Sequence, residues 1–246
     1  MKKLEDKVAL VTGGSRGIGA AIARKLSTEG AKVLITYQNN AELAIQLVDE
    51  INAAGGDAIS FQADSGLSEQ VTAAVHFTVE HFGRLDILIN NAGIGMYDHI
   101  SNLSLEQYDR TMDVNVKGVF AATLAAVPHL QRGARIITIG SCQADRMPTQ
   151  GGSLYAMSKS ALIGLTKGLA RDLGPSGVTA NLIQPGPVDT DMNPANSEFA
   201  AGQLSLMAQD SFGKPDDIAS LVAFVASPDS QYITGASLTI DGGTNI

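Results

Sequence analysis

The sequence has little of several residue types, and each scarcity excludes a class of protein. Its 246 residues include one cysteine, so no disulfide can form within the chain, which suits a reducing compartment. The four histidines are scattered, and with a lone cysteine they do not make the ligand spacing of a metal site. Lys and Arg number 17 against 25 Asp and Glu, a net charge of −8. Nucleic-acid binding is therefore not expected, because it needs clustered cations.

The chain also lacks a long apolar run. Its longest runs, such as residues 119–130, are shorter than a bilayer requires, and this one is broken by Pro128. The first residues include two lysines but no apolar segment with a cleavage site. We therefore expect a cytoplasmic protein that acts on a small molecule, with neither a membrane nor a nucleic acid as its partner.

What the sequence does contain is a regular alternation of short β-branched segments with longer amphipathic ones. Strands are predicted at 7–12, 31–37, 57–63, 85–91, 134–140, 177–183 and 236–243, and helices at 17–30, 41–56, 68–83, 105–131, 153–173 and 214–227. Strands that are apolar along their whole length are typical of a parallel sheet buried on both faces. The pattern predicts the α/β class: a single-domain Rossmann fold over 1–246, with a doubly wound parallel sheet of about seven strands and helices on both faces.

Residues 186–213 interrupt this alternation. The segment has no clear strand pattern and is rich in Pro, Asn, Asp and Gly. A long irregular insertion in a compact domain is usually a functional loop. We therefore expect a substrate lid at about 186–213.

A glycine-rich turn joins the first predicted strand to the first helix. Gly13, Gly17 and Gly19 would let the backbone turn tightly and approach a pyrophosphate at the helix N-terminus. Such a triplet alone also suits a plain structural turn, but its position between strand and helix favours a dinucleotide. The candidate phosphate-binding residues are Gly13, Ser15, Arg16, Gly17, Ile18 and Gly19.

The end of the second predicted strand indicates which dinucleotide is bound. A carboxylate there would hold a ribose 2′-hydroxyl and favour NAD, but the residues are Tyr37, Gln38 and Asn39. Arg16 in the glycine turn could meet a 2′-phosphate through a charge-assisted hydrogen bond. Both features predict NADP(H). The alternative for Arg16 is a solvated loop cation.

The short stretch 153–161 places Tyr155 and Lys159 four residues apart in a predicted helix. Residues at i and i+4 share one helix face. The pair alone is compatible with a packed helix turn as well as with a catalytic site. The choice between the two depends on the rest of the chain.

Six motifs together resemble the short-chain dehydrogenase/reductase family, over essentially the whole chain. Residues 12–19 (TGGSRGIG) resemble the family's glycine motif, and 155–159 (YAMSK) its Tyr-x-x-x-Lys motif. Residues 90–93 (NNAG), 113–118 (DVNVKG), 137–141 (ITIGS) and 184–190 (QPGPVDT) resemble its other motifs, in family order. Each motif is modest alone, whereas the six together are specific, and they favour the catalytic interpretation of Tyr155 and Lys159.

The resemblance implies a catalytic set of Asn115, Ser141, Tyr155 and Lys159. Tyr155 would donate a proton to the carbonyl oxygen of a substrate, and Lys159 would lower the pKa of that phenol and bond the nicotinamide ribose. Ser141 would hydrogen-bond the same oxygen as charge develops on it. Asn115 would hold a water that relays protons to Lys159.

The resemblance also implies the rest of the cofactor site. Asn91, Ala92 and Gly93 would line the cofactor, Asp64 with Ser65 beside it would contact the adenine, and Pro185, Gly186, Val188 and Thr190 would cradle the nicotinamide. Tyr155 and Lys159 would also contact the cofactor. The family further implies a homotetramer, for which the small residues Ala156, Ser158, Ser160 and Ala161 would permit close helix approach.

The predicted substrate-binding residues are Ser141, Gln143, Met147, Tyr155 and Met192, with Ile94, Met96 and Phe199 as further candidates. They are mostly apolar, so we expect an uncharged or weakly charged carbonyl compound, although several of them could simply pack the lid. The loop from Ser141 to Tyr155 is one residue longer than in common family members. Cys142 within it is either a reactive thiol or a small buried hydrophobe.

Three functions follow from the resemblance. The first is an NADPH-dependent oxidoreductase that reduces a ketone or aldehyde reversibly to an alcohol. The second is a 3-oxoacyl-carrier-protein reductase of fatty-acid synthesis, which would need a basic docking patch that an acidic chain offers only locally, for example near Arg132, Arg135 and Lys167. The third is a regulatory protein that sequesters cyclic-di-GMP, because segments 140–148 and 184–199 resemble the biofilm-dispersal branch of the family. A purely binding role would not require Tyr155 and Lys159 to occur together.

Overall fold

The computed structural model describes residues 2–246 and has one sheet of seven strands, all parallel to their neighbours. The strands are β1 (Val8–Val11), β2 (Lys32–Tyr37), β3 (Ala58–Gln62), β4 (Ile87–Asn90), β5 (Arg135–Ile139), β6 (Thr179–Pro185) and β7 (Ser237–Ile240). Each predicted strand forms. The largest displacement of an end is at β7, which stops at residue 240 where 243 was predicted.

The helices lie between the strands, as the alternation predicts. They are α1 (Gly17–Thr28), α2 (Ala41–Ala53), α3 (Ser68–Phe82), α4 (Leu105–Met112), α5 (Gly118–Ala126), α6 (Ser153–Leu173), α7 (Ala200–Leu204) and α8 (Pro215–Ala226). The helical stretch predicted at 105–131 is broken into α4, a π-helical turn at Asp113–Lys117, α5 and a 3₁₀ turn at Val127–His129. The fold class is thus confirmed.

Two hydrophobic cores cover the two faces of the sheet. One packs α1, α2 and α8 against it, and the other packs α3, α5 and α6. Every residue of β1, β4, β5 and β6 is buried, because these inner strands carry helices on both sides. The edge strands β3 and β7 are only partly buried.

The strand order is β3-β2-β1-β4-β5-β6-β7. The chain runs outward from β1 to β3 and then returns to place β4 on the other side of β1. In open α/β sheets such a reversal leaves a crevice at the carboxyl ends of the two central strands, where ligands bind. The glycine turn follows β1, and residues 90–93 begin at the end of β4, so both lie at this crevice.

The segment 186–213 forms a closed loop beside the crevice. Its two ends are joined, because the Asp189 N–H donates to the Gly213 carbonyl and the Gly213 N–H donates to the Pro187 carbonyl, at 2.9 and 3.0 Å. Within it, the amides of Asn193 and Gln203 bond each other twice. As predicted the segment contains no long strand; its one helix is the short α7.

Candidate active site

The glycine turn has a backbone that side chains would block. Gly13 and Gly17 have φ values of +62° and +53°, which glycine adopts without steric cost. A Cβ on Gly19 would lie 2.4 Å from the Gly13 carbonyl oxygen. The first turn of α1 carries no acidic residue to offset the positive end of the helix dipole. The turn therefore fits a pyrophosphate in both shape and charge.

Hydrogen bonds fix this turn to the end of β4. The Thr12 hydroxyl accepts from the N–H groups of Asn91 and Ala92 at 3.0 and 3.1 Å. The Asn91 amide donates in return to the Thr12 and Gly13 carbonyls at 2.9 and 3.0 Å. Thr36 at the end of β2 accepts from the Gly13 N–H at 3.0 Å. The Asn91 side chain thus shapes the cofactor crevice by holding the glycine turn.

The predicted adenine contact, Asp64, already has protein partners. Its carboxylate accepts two bonds from Arg110, both at 3.1 Å, and one from the Gln38 amide at 2.8 Å. Burial alone would raise the pKa of Asp64, but the hydrogen bonds from Arg110, the Gly66 N–H and Gln38, together with the Arg110 charge, outweigh it and hold the pKa below its usual range. Sequence reasoning missed Arg110, because it comes from α4, distant in sequence, and no local motif marks it. Tyr37 and Asn39 lie at the same end of β2, and Ser65 follows Asp64.

Arg16, the predicted phosphate ligand, faces a carboxylate of the 186–213 segment. Its Nη1 lies 3.6 Å from the Asp191 Oδ2, and the two side chains are 55% and 67% exposed. Thr190 lies next to this pair, with its Cγ2 3.5 Å from the position of a Cβ on Gly17. The glycine turn and the 186–213 segment therefore meet at Arg16. Asp191 was not predicted.

Asn115 lies in the π-helical turn, buried among polar partners. Its Oδ1 accepts from the Ile94 N–H at 2.9 Å, and its Nδ2 donates to the Ile94 carbonyl and the Ser158 hydroxyl, both at 3.0 Å. The side chain therefore braces the chain after β4 against α6. The water-holding role implied by the resemblance stays a prediction, and these bonds leave the amide little capacity for it.

Lys159 and Asn115 converge on Gly93. A Cβ on Gly93 would lie 3.2 Å from the Lys159 Nζ and 3.4 Å from the Asn115 Oδ1. The ammonium is buried and donates to the Ile139 carbonyl at 3.0 Å. The structure thus brings the Asn, Lys and Gly motifs together, although they lie on three separate elements.

The expected lowering of the Tyr155 pKa by Lys159 is wrong in this structure. Burial raises the pKa of Tyr155 to about 12, while hydrogen bonding with Ser141 acts in the opposite direction. The Lys159 Nζ lies 5.8 Å from the Tyr155 ring centroid, and its own bond goes to the backbone. Burial lowers the pKa of Lys159 to about 8. Desolvation therefore dominates both groups.

The extra residue between Ser141 and Tyr155 is accommodated in an ordered loop. Residues Cys142–Ala144 form a 3₁₀ turn that Ser141 caps, since its Oγ accepts from the Gln143 N–H at 3.2 Å. The C-terminal residues hold this loop: the Asn245 amide donates to the Cys142 carbonyl at 2.7 Å, and Arg146 donates to the Thr244 carbonyl at 2.8 Å. The Cys142 thiol is buried, and burial raises its pKa to about 11, which favours the hydrophobic interpretation of this residue.

A residue that was not predicted, Tyr97, packs beside Tyr155 on the expected substrate side. The ring centroid of Tyr97 lies 5.1 Å from that of Tyr155, and its hydroxyl donates to Gln143 at 3.0 Å. Met147 packs over Gly152, just before α6. Met192 and Phe199 are 60% and 69% exposed, so the structure does not bury them at the site. Tyr97 escaped detection because it belongs to no motif.

The other predicted residues lie along the same crevice. Ser15 and Ile18 are partly buried in the glycine turn and α1, and Pro185 and Val188 are buried at and beyond the end of β6. Gly186 passes so close to the chain after β7 that a Cβ would lie 2.5 Å from the Asp241 Cα. Met96 accepts a weak bond from the Gln107 amide. Within residues 2–246, no group of three or more metal-ligating side chains occurs, and no helix has the length and apolar content to cross a bilayer.

Comparison with known proteins identifies the family. A family model described as enoyl-(acyl carrier protein) reductase matches residues 13–245. A short-chain dehydrogenase of Burkholderia cenocepacia J2315, solved in complex with NADP, is 54% identical and superposes with a TM-score of 0.98, covering 99% of this chain and 100% of that one. The chain belongs to the short-chain dehydrogenase/reductase family, an oxidoreductase family.

Two curated relatives differ in their named activities. A cyclic-di-GMP-binding biofilm dispersal mediator protein of Escherichia coli K12 is 43% identical, over 98% of both chains. A probable tetrahydroxynaphthalene reductase of Zymoseptoria tritici is 38% identical, over 98% of this chain and 95% of that one. Relatives of similar identity thus carry different functions, and the family alone does not select a substrate.

Proposed function

We propose that the protein is an NADPH-dependent reductase that converts a ketone or aldehyde to an alcohol, reversibly. The observation that carries the proposal is the arrangement of three groups at the crevice: the Tyr155 phenol, the Ser141 hydroxyl, which acts to lower the pKa of that phenol, and the buried ammonium of Lys159, 5.8 Å from the Tyr155 ring centroid. Core packing of Tyr155 and Lys159 does not explain why an ammonium is buried without a carboxylate partner. Burial of an unpaired charge destabilises the fold, and such groups are typical of functional sites.

The residues present fit NADP(H). The glycine turn would hold the pyrophosphate, and Arg16 would meet the 2′-phosphate, where the end of β2 offers Tyr37, Gln38 and Asn39 but no carboxylate. The predicted adenine and nicotinamide ligands line the same crevice. The NADP complex of the Burkholderia relative supports this choice of cofactor.

In the proposed reaction, the bound cofactor supplies a hydride to the carbonyl carbon, and the protein supplies a proton to the oxygen. Tyr155, with its pKa raised to about 12 by burial, remains a protonated donor at neutral pH. Ser141 hydrogen-bonds the same oxygen as negative charge develops on it. Lys159, with its pKa lowered by burial to about 8, is suited to exchange protons near neutrality and so to reprotonate the phenol.

We further propose that the loop 186–213 acts as the substrate lid. Its ends are joined to each other, and it reaches the glycine turn through Asp191. Closure would bring Met192 from solvent toward Gln143 and Met147. Such closure excludes water from the reacting carbonyl, as lids do in other enzymes. None of these three residues is charged, which favours an uncharged substrate.

Two alternatives remain as competing hypotheses. The biofilm dispersal relative supports a cyclic-di-GMP-binding role, but binding alone does not require all four catalytic positions. The description of the family model supports an acyl-carrier-protein substrate. Against it, the chain has a net charge of −8, and Arg135, one of the three local cations, is buried.

We also propose a cytoplasmic homotetramer. Large apolar side chains of α4 and α5 are exposed, among them Leu105 at 81%, Phe120 at 54% and Leu124 at 64%. A groove of about 640 Å³ runs between α3 and α5, away from the catalytic residues. Of the small residues of α6 expected to permit close helix approach, Ala161 is exposed, whereas Ser158 is buried against Asn115. Sedimentation velocity would measure the assembly.

The test of the proposed function is the oxidation of NADPH, with NADH in parallel, against ketones, aldehydes and keto-acyl thioesters. Wild type should turn over uncharged carbonyl compounds. Tyr155→Phe should lose turnover while retaining NADPH binding, because it removes the hydroxyl that donates the proton but keeps the ring and all the other proposed cofactor contacts. Reduction confined to carrier-linked thioesters would favour a 3-oxoacyl-carrier-protein reductase. Absence of turnover combined with tight cyclic-di-GMP binding would favour a regulatory protein that sequesters cyclic-di-GMP.

A further inference from the structure

Tyr97 is an aromatic side chain beside the proton donor that the proposed mechanism does not use. Its ring plane is tilted 36° from that of Tyr155 at a centroid distance of 5.1 Å. Its position is fixed, because the following residue, Asp98, donates its N–H to the Gly151 carbonyl at 2.9 Å, just before α6. Yet 53% of Tyr97 is exposed. Part of an ordered aromatic surface therefore remains open next to the reacting carbonyl.

Gln143 links this ring to the catalytic serine. Its Oε1 accepts from the Tyr97 hydroxyl at 3.0 Å, and its backbone N–H donates to the Ser141 Oγ at 3.2 Å. Within residues 2–246 no hydrogen bond uses the Gln143 Nε2. The carboxamide is thus oriented by Tyr97, with its two N–H donors unused. A ligand that offers an acceptor to such a half-buried donor gains binding free energy from the hydrogen bond.

Within residues 2–246 no carboxylate is hydrogen-bonded to either phenol, and the Tyr97 hydroxyl donates to the neutral Gln143 amide. Desolvation by the part of Tyr97 that packs against the protein raises its pKa, and Tyr155 and Cys142 raise it further. The groups that act on Tyr155 are burial, Ser141 and Cys142. The hydroxyls therefore remain neutral at physiological pH, and the open surface beside them suits an uncharged ligand.

We propose that Tyr97 and Gln143 together select the substrate: a ketone joined to a flat aromatic or conjugated group, with a second, uncharged oxygen acceptor next to the reacting carbonyl. The inference rests on the proposed reductase function. The Tyr97 ring packs against the flat group, and the Gln143 Nε2 donates to the second oxygen. Ser141 and Tyr155 remain free for the oxygen that is reduced.

Four ketones separate these two contributions. Methyl benzoylformate has both the ring and the second oxygen, and methyl cyclohexylglyoxylate lacks the flat ring. The monoketone 1-phenylpropan-1-one lacks the second oxygen, and 1-cyclohexylpropan-1-one lacks both features. Intrinsic reactivity differs among them, but it cancels when the ratio of kcat/KM for two compounds is compared between wild type and a variant.

Three variants give distinct expected patterns. Tyr97→Leu should lower kcat/KM for the phenyl compounds by about 3- to 10-fold relative to the cyclohexyl compounds, the range expected for one aromatic contact. Gln143→Leu should lower kcat/KM for the keto esters by about 3- to 10-fold relative to the monoketones, the range expected for one hydrogen bond. Tyr97→Phe keeps the ring but releases the carboxamide, so it should weaken only the keto-ester preference.

The matched control is Tyr232→Leu, which removes a fully exposed ring and should change neither ratio. A second measurement avoids turnover: calorimetric titration of the four ketones into protein saturated with NADP⁺, which has no hydride to give. The dissociation constants should follow the same order and shift in the same variants.

The outcomes separate this inference from the proposed function. Suppose that wild type reduces ketones but that Tyr97→Leu and Gln143→Leu leave both kcat/KM ratios unchanged within about twofold, which is below the range of one such contact. Tyr97 and Gln143 then do not select the substrate, and the reductase assignment stands. If no carbonyl compound is reduced, the proposed function is wrong and the titration decides. Equal or undetectable binding of the four ketones would then overturn the inference, whereas binding that depends on Tyr97 and Gln143 would support the recognition site.

Discussion

Asp191 is expected to weaken the binding of NADPH, and Asp191→Asn should strengthen it. The Asp191 carboxylate lies 3.6 Å from the Arg16 guanidinium, which we propose binds the 2′-phosphate. A phosphate must displace or share this carboxylate. Two charges at such a distance attract by about 1 kcal/mol in water. Since both side chains are more than half exposed, the measured value should lie at about 0.2–1 kcal/mol.

That energy converts to a change in affinity. At 1.4 kcal/mol per tenfold, removing the carboxylate should tighten NADPH binding by about 1.4- to 5-fold. NADH has no 2′-phosphate, so its affinity should stay the same. The difference should shrink as salt is raised, because exposed charges are screened. Titration followed by the fluorescence of the bound nicotinamide, at two salt concentrations, measures the affinity for NADPH, the affinity for NADH and the salt dependence of the difference.

Asp210→Asn is the matched control, since Asp210 is exposed in the same segment and has no ion pair within residues 2–246. It should leave both affinities unchanged. Two results would refute the reasoning: an equal change for NADPH and NADH, or weaker NADPH binding in Asp191→Asn. Either result would mean that Asp191 does not compete with the 2′-phosphate for the Arg16 guanidinium.

Three further predictions concern the glycine turn, the lysine and the C-terminus. Gly19→Ala places a methyl group 2.4 Å from the Gly13 carbonyl oxygen. Calorimetric melting should therefore show that the free energy of unfolding falls by about 1–3 kcal/mol, and NADPH binding should weaken. The control Gly202→Ala, whose added methyl group meets nothing within 4 Å, should cause neither loss. Lys159→Met should stabilise the protein more at pH 7 than at pH 10, because the folded pKa of about 8 lies below the 10.5 of an unperturbed lysine. Between these values the unfolded state binds more protons than the folded state, so the stability of wild type rises with pH, by up to about 3 kcal/mol. Urea unfolding of both proteins at each pH checks the sign. Asn245→Ala removes the bond to the Cys142 carbonyl and should lower kcat several-fold with little effect on NADPH affinity; unchanged kcat would show that the C-terminus does not position the Ser141 loop.

The fold, and the positions of the candidate site residues within it, follow from the sequence because their signals are local or periodic. Apolar strands, amphipathic helices and the glycine turn are each encoded within a few residues. The family motifs then place Asn115, Ser141, Tyr155 and Lys159 at the ends of known elements. The structure brings these elements to one crevice because all seven strands are parallel.

The residues that escaped prediction act through long-range contacts. Arg110 reaches Asp64 across 46 positions, and Asn245 reaches Cys142 across 103. Such pairs leave no periodic trace in a single sequence. Tyr97 and Asp191 lie in irregular segments, where backbone direction is set by tertiary packing rather than by propensity.

The pKa of Tyr155 shows a different limit. The sequence indicates a neighbouring ammonium, and so a lower pKa, but it does not report how deeply the phenol is buried. In the structure desolvation outweighs the hydrogen bonding with Ser141 and raises the pKa, and the Lys159 nitrogen lies 5.8 Å from the ring. Burial, which depends on the whole fold, reverses the sign expected from the motif.

The most direct test of the account is the oxidation of NADPH by purified wild type and Tyr155→Phe with methyl benzoylformate as substrate, alongside a calorimetric measurement of NADPH binding to both. The account predicts turnover by wild type, its loss in the variant, and equal cofactor affinity. Equal turnover by the two proteins, or none by wild type across the wider panel of carbonyl compounds, would contradict it.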